Sequence, residues 1–130
     1  VKPAEARSLM ARTDANFVPS IWEEPFGRVI IESYQVGTPV YASAVGGIPD
    51  AVWNPDEFLF KPGSAAAIRA KILDFHELSG EEKRRIQQQC VRHCRKFTQA
   101  SLLEKHLDLY GRMLSGGREF AARAVCGQVN

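Results

Sequence analysis

Glu24 and Glu32 flank the run Pro25, Phe26, Gly27, Arg28, Val29, a spacing that can do chemistry. Pro25 fixes φ ahead of a segment in which Val29, Ile30, Ser33 and Val36 could share one face, so a helix is predicted to begin within Pro25-Phe26-Gly27 and to end at Gly37. The first turn of such a helix has unpaired N–H groups and the positive end of the helix dipole, and Gly27 has no side chain to keep a ligand from them. That end is suited to an anion. Glu24 would sit in the loop before the helix, and Glu32 one turn inside it, on roughly the same face as Arg28. The two carboxylates can then address opposite ends of one molecule, with backbone donors between them. A sugar joined to a nucleoside diphosphate has this pattern of hydroxyls, diphosphate and hydroxyls. Outside this context, Glu24 would only complement a helix terminus and Glu32 would be a solvated helical charge.

The flanking elements place this segment at the edge of a sheet. Phe17 and Val18 end an apolar run that reads as a buried parallel strand, opening at Pro19 into the loop that carries Glu24. Residues 39–43 read as a second strand, and the loop after it holds Gly46 and Gly47. Two strand-to-loop ends on one edge build a crevice, and the glycine pair is expected to let a ligand approach the backbone. Asp50, after Pro49, suits the start of a short helix through Val52, or simply a tight turn with a capping Asp. Residues 58–60 read as an edge strand. Ser64 can cap a helix carrying Ile68, Ile72 and Phe75, and Ser79 with Glu82 forms a capping box for a helix over residues 81–97. A last amphipathic helix over 98–114 carries Leu103, Leu107, Tyr110 and Leu114, and Ser115-Gly116-Gly117 is expected to break it. Residues 115–130 would form a tail, either with another helical turn or two or frayed.

Residues 17–52, FVPSIWEEPFGRVIIESYQVGTPVYASAVGGIPDAV, closely resemble the donor-nucleotide-binding segment in the C-terminal domain of retaining glycosyltransferases of the GT-B architecture, the large group that includes glycogen synthases and sucrose synthases. The resemblance reaches over residues 1–114. It implies an α/β fold in which about three parallel strands and flanking helices form the second half of a Rossmann-like domain. It also implies that Glu24, the catalytic candidate, bonds hydroxyls of the donor sugar, that Glu32 binds the ribose, and that the amides of Phe26, Gly27, Arg28 and Val29, next to Pro25, face sugar and phosphate. Gly46 and Gly47 match a loop beside the donor cleft. The activity implied is hexosyl transfer with retention from a UDP-, GDP- or ADP-sugar, without metal or other cofactor, in glycan or polysaccharide biosynthesis. The basic residues that hold the diphosphate, and the acceptor site, would belong to an earlier part of the same protein. The C-terminal helix of the family crosses back onto that N-terminal domain. Two other readings stay open: a nucleotide-sugar epimerase of the same architecture, and a non-catalytic nucleotide-sugar-binding module.

Composition is compatible with this. The 130 residues are 45% hydrophobic and 25% charged, enough for one core, and no apolar run reaches the length of a membrane span. A net charge of +2 does not ask for a polyanion, and the bases late in the helix over 81–97 complement its dipole, so no nucleic-acid partner is expected. No segment reads as a signal peptide, and three scattered cysteines suggest no disulfide framework, which favours a reducing cytoplasm. Contact with the inner face of a membrane is left open for the full-length protein. Cys90 and Cys94 share a face with Ile86 and Phe97, as core residues would, whereas Cys126 is remote and no Cys-x-x-Cys pair accompanies His93, so no metal site is expected.

Overall fold

The computed structural model describes residues 2–126, with the side chains of residue 2 and residues 4–114. Two compact units divide the chain, residues 1–95 and residues 96–130. The first runs α1 (Pro3–Met10), β1 (Asn16–Val18), α2 (Arg28–Gln35), β2 (Val40–Ser43), α3 (Ile48–Ala51), α4 (Pro55–Phe58), β3 (Leu59–Phe60), α5 (Ala65–Glu77) and α6 (Gly80–Cys94). A 3-10 turn, Arg95–Phe97, follows, and α7 (Gln99–Cys126) makes up most of the second unit.

The strands form one parallel sheet in the order β1-β2-β3, with Phe17 opposite Tyr41 and Ser43 opposite Phe60. All of β2 is buried, as expected for a central strand. Tyr41 stacks on Phe17 at 5.3 Å between ring centroids and on Phe58 at 4.8 Å, with Phe75 of α5 edge-on at 6.0 Å. These rings form one aromatic cluster beside the sheet.

Helix α2 buries Ile30, Ile31, Ser33 and Tyr34, while Val29 and Val36 are half-buried, so the buried face is rotated slightly from the expected one. The buried Ser33 is fully engaged: its Oγ accepts from Asn16 Nδ2 at 2.8 Å and donates to the Thr38 carbonyl at 2.8 Å. Thr38 Oγ1 donates to the Met10 carbonyl at 2.8 Å, which joins α1 to the same chain of bonds. Helix α6 packs on α2. Its His93 Nε2 lies 3.2 Å from the Ala51 carbonyl, and Tyr34 Oη accepts from the Trp53 N–H at 3.2 Å. Cys90 and Cys94 are buried in α6, consistent with packing, and among the described residues no group of three or more metal-ligating side chains gathers.

Ser64 caps α5 by accepting from the Ala67 N–H, and Ser79 with Glu82 forms the expected capping box at α6. Several elements differ from expectation. Phe58 ends the single turn α4 rather than opening a strand, because Asn54 takes a left-handed conformation (φ 56°) and Pro55 starts a helical turn. The short helix at Asp50 does form, as α3 with Asp50 in its first turn, but its N-cap is Gly47 rather than Asp50. The helix does not break at Ser115-Gly116-Gly117 but runs on to Cys126. Two glycines cost about 1 kcal/mol each against Ala, whereas the residues beyond them, among them Arg118, Glu119, Ala121, Ala122 and Ala124, are strong helix formers. Residues 127–130 of the expected tail lie outside the described residues. No described helix is long and apolar enough to cross a membrane.

Candidate functional site

The chain leaves the carboxyl end of β1 through Pro19 and returns as α2 at Arg28, and the loop between them carries Glu24. Ser20 Oγ donates to Glu24 Oε2 at 3.0 Å, and both side chains are half-buried. Behind this loop lies the one that follows β2. The Gly47 N–H donates to the Glu24 carbonyl at 2.8 Å. A Cβ on Gly46 would fall 2.8 Å from the Glu24 nitrogen, and one on Gly47 would fall 2.8 Å from the Pro25 carbonyl carbon. The glycine pair was expected to admit a ligand, but the space its missing side chains leave is filled by the chain's own backbone from Glu23 to Phe26. The two loops are therefore held together backbone against backbone.

Gly27 is the N-cap of α2, in the left-handed conformation with φ 73°. A Cβ there would meet Ile30 Cδ1 at 3.0 Å and Ile48 Cγ1 at 3.4 Å, so its missing side chain clears the interior rather than a path to ligand. Glycine is required by backbone conformation and by packing.

The next two amides, Arg28 and Val29, open the helix, and no carbonyl among the described residues accepts from them outside the helix. No acidic residue occupies the first turn. One turn on, Glu32 Oε1 lies 3.5 Å from Arg28 Nη2, a long pairing in which the arginine side chain is 86% exposed and the glutamate 33%. Such a contact leaves both groups available to a ligand. Phe26 is half-buried and Pro25 exposed. The arrangement thus presents an acceptor in the loop, donors at the helix start and an acceptor one turn inside.

A concavity of about 530 Å³ among the described residues lies elsewhere, lined by Thr13, Gly37, Thr38, Arg84, Arg92 and Arg95 among others. It sits where α1 and α2 end and β1 and β2 begin, whereas ligands of open parallel sheets bind beyond the carboxyl ends of strands. Arg92 in the last turn of α6 and Arg95 at its C-cap complement the negative end of that helix.

Ser20 escaped the sequence reading. It stands four residues before Glu24, but in a loop, where spacing does not set contacts; the only signal was the tendency of Ser in loops to bond locally. Ile21 and Trp22 beside it are 78% and 61% exposed, an apolar pair next to the carboxylate.

Residues 1–92 match the family described as glycosyl transferases group 1. A D-inositol 3-phosphate glycosyltransferase of Corynebacterium efficiens is 34% identical over 108 residues, which cover 83% of this chain and 25% of that protein. One from Mycobacteroides abscessus is 32% identical over 120 residues, covering 89% of this chain and 26% of its own length. The crystal structure of a glycosyltransferase from Rickettsia africae ESF-5 superposes with a TM-score of 0.72 at 28% identity, over 82% of this chain and 29% of that one. The chain spans about a quarter of the length of the curated relatives it matches. The α/β fold with a parallel sheet and flanking helices agrees with the solved structure, and the matched family with the resemblance of residues 17–52: the chain belongs to the group 1 glycosyl transferases.

Proposed function

We propose that this chain carries the donor-binding part of a hexosyltransferase that uses a nucleoside-diphosphate sugar and retains configuration at the anomeric carbon, in glycan or polysaccharide biosynthesis. The observation that carries this reading is the placing of Glu24 and Glu32 on either side of the Arg28 and Val29 amides, from which no carbonyl among the described residues outside α2 accepts, at the carboxyl end of β1. In the proposed complex the Arg28 and Val29 amides face the diphosphate, Glu32 accepts from the ribose and Glu24 from hydroxyls of the sugar.

In the reaction the bond between the anomeric carbon and the diphosphate oxygen breaks, and an acceptor oxygen bonds to that carbon from the same face. The acceptor proton passes to the departing phosphate. Helix-terminal amides stabilise the charge that grows on the leaving group, and Glu24 the positive character on the sugar. No step runs through a metal. The basic residues that grip the diphosphate and the acceptor site belong, in this reading, to the preceding part of the protein. Two of the relatives are named for D-inositol 3-phosphate, so a phosphorylated polyol is the acceptor to assay first.

The test uses the full-length protein with UDP-, GDP- and ADP-hexoses. Acceptor-dependent release of nucleoside diphosphate, with a product of the donor's anomeric configuration, is expected. Donor conversion without acceptor would point to an epimerase, and donor binding without turnover to a binding module. Residues 1–130 alone should show no transfer: β1 pairs on one side only among the described residues, leaving a strand edge open.

A further inference from the structure

The Glu24 backbone is fixed by Gly47, but a glutamate side chain has three rotatable bonds, and something must aim the carboxylate. Among the described residues no cation lies within ion-pair distance of it; the pairs seen are Arg28 with Glu32 and Arg112 with Asp108. The hydrogen bond to the carboxylate comes from Ser20, whose Oγ lies 3.0 Å from Oε2. A hydroxyl has one proton, so while Ser20 gives it to Oε2 it cannot give it to a substrate. Oε1 keeps its lone pairs.

We propose that Ser20 is a positioning residue for sugar transfer, holding Oε2 of Glu24 so that Oε1 is presented to a hydroxyl of the donor sugar. The inference rests on the sugar-contacting role proposed above for Glu24. Ser20 acts through Glu24 and touches neither sugar nor phosphate. Its removal leaves the carboxylate present but free to turn, so the loss appears where the sugar reacts and not where the diphosphate binds.

The test is a double-mutant cycle in the full-length protein with Ser20→Ala, Glu24→Ala and the pair, alongside Ser20→Thr, which keeps the hydroxyl. Turnover at saturating donor and calorimetric affinity for the nucleoside diphosphate are read for each. Ser20→Ala is expected to lower kcat by about tenfold, the loss of one hydrogen bond to a charged group, and to change diphosphate affinity less than about twofold. Ser20→Thr restores turnover, and the double variant is no slower than Glu24→Ala. Wild-type turnover in Ser20→Ala with a slow Glu24→Ala would overturn the role of Ser20 and leave that of Glu24 standing. Losses that multiply in the double variant would show that Ser20 acts independently of Glu24, also against the proposal. Wild-type turnover in Glu24→Ala would remove the reading on which it rests.

Discussion

The backbone N–H of Gly47 and the carbonyl oxygen of Glu24, 2.8 Å apart, tie the loop after β2 to the loop after β1 through main chain alone. Gly47 has φ −86°, which any residue adopts, so glycine is needed for proximity and not for conformation. Gly47→Ala should therefore push the Glu24 to Phe26 segment away and lower turnover of the full-length protein on the order of a hundredfold, the scale of a misplaced catalytic group. Gly63→Ala is the control. Gly63 has φ +70° with nothing near its missing Cβ, so that variant bears local backbone strain but leaves turnover within about twofold. Initial rates and thermal midpoints of both variants decide it; equal turnover in the two would sever the Gly47 loop from the site.

Glu32 stands one turn into α2, only loosely held by Arg28. Glu32→Gln should weaken nucleotide binding by about ten- to a hundredfold, since a hydrogen bond to a charged group is worth about 1.5–3 kcal/mol. The 2′,3′-dideoxy nucleotide is the comparison. If wild type and variant differ as much toward it as toward the ordinary nucleotide, Glu32 does not bind the ribose.

Burial pushes the Cys90 thiol up to about 12, with nearby Cys94 adding to it. Burial, with the charges of Glu57, Asp74 and Cys90, likewise raises the Tyr41 phenol to about 12. Both groups hold their protons more tightly folded than unfolded. The stability this provides is complete below the unfolded values, about 8.5 for Cys and 10 for Tyr, and is lost as pH rises through the folded ones. The thermal midpoint should be flat from about pH 7 to 8 and fall between about 9 and 12. Cys90→Ala should soften the fall that begins near pH 9; an identical profile in that variant would assign the alkaline loss to other groups.

Much of this was legible in the sequence because local chemistry and tertiary need coincide. Pro25 and Gly27 mark the start of α2, Ser79 with Glu82 the start of α6, and the run through Val40 its buried strand. What lay hidden depends on chain approach. The glycines at 46 and 47 announce closeness without saying to what, and the partner is the backbone around Glu24 rather than a ligand. Ser20 meets Glu24 across an irregular loop, where no period reports contact. Helix α1 has no side-chain cap and a short span, so Pro3 and Glu5 near its start and Arg7 in its last turn are weak signals of it. Gly116 and Gly117 read as a break, yet the helix formers on either side outweigh two glycines and α7 runs through them.

The central claim is that Glu24 meets the transferred sugar while the start of α2 meets the diphosphate. Glu24→Gln in the full-length protein tests it most directly, by initial rates set beside calorimetric titration with nucleoside diphosphate. The diphosphate lacks the sugar, so its affinity should stay within about threefold while turnover falls by a hundredfold or more, roughly the scale of a group that acts in the transition state. Equal losses in affinity and in rate would contradict the account, leaving Glu24 as a support for the helix terminus.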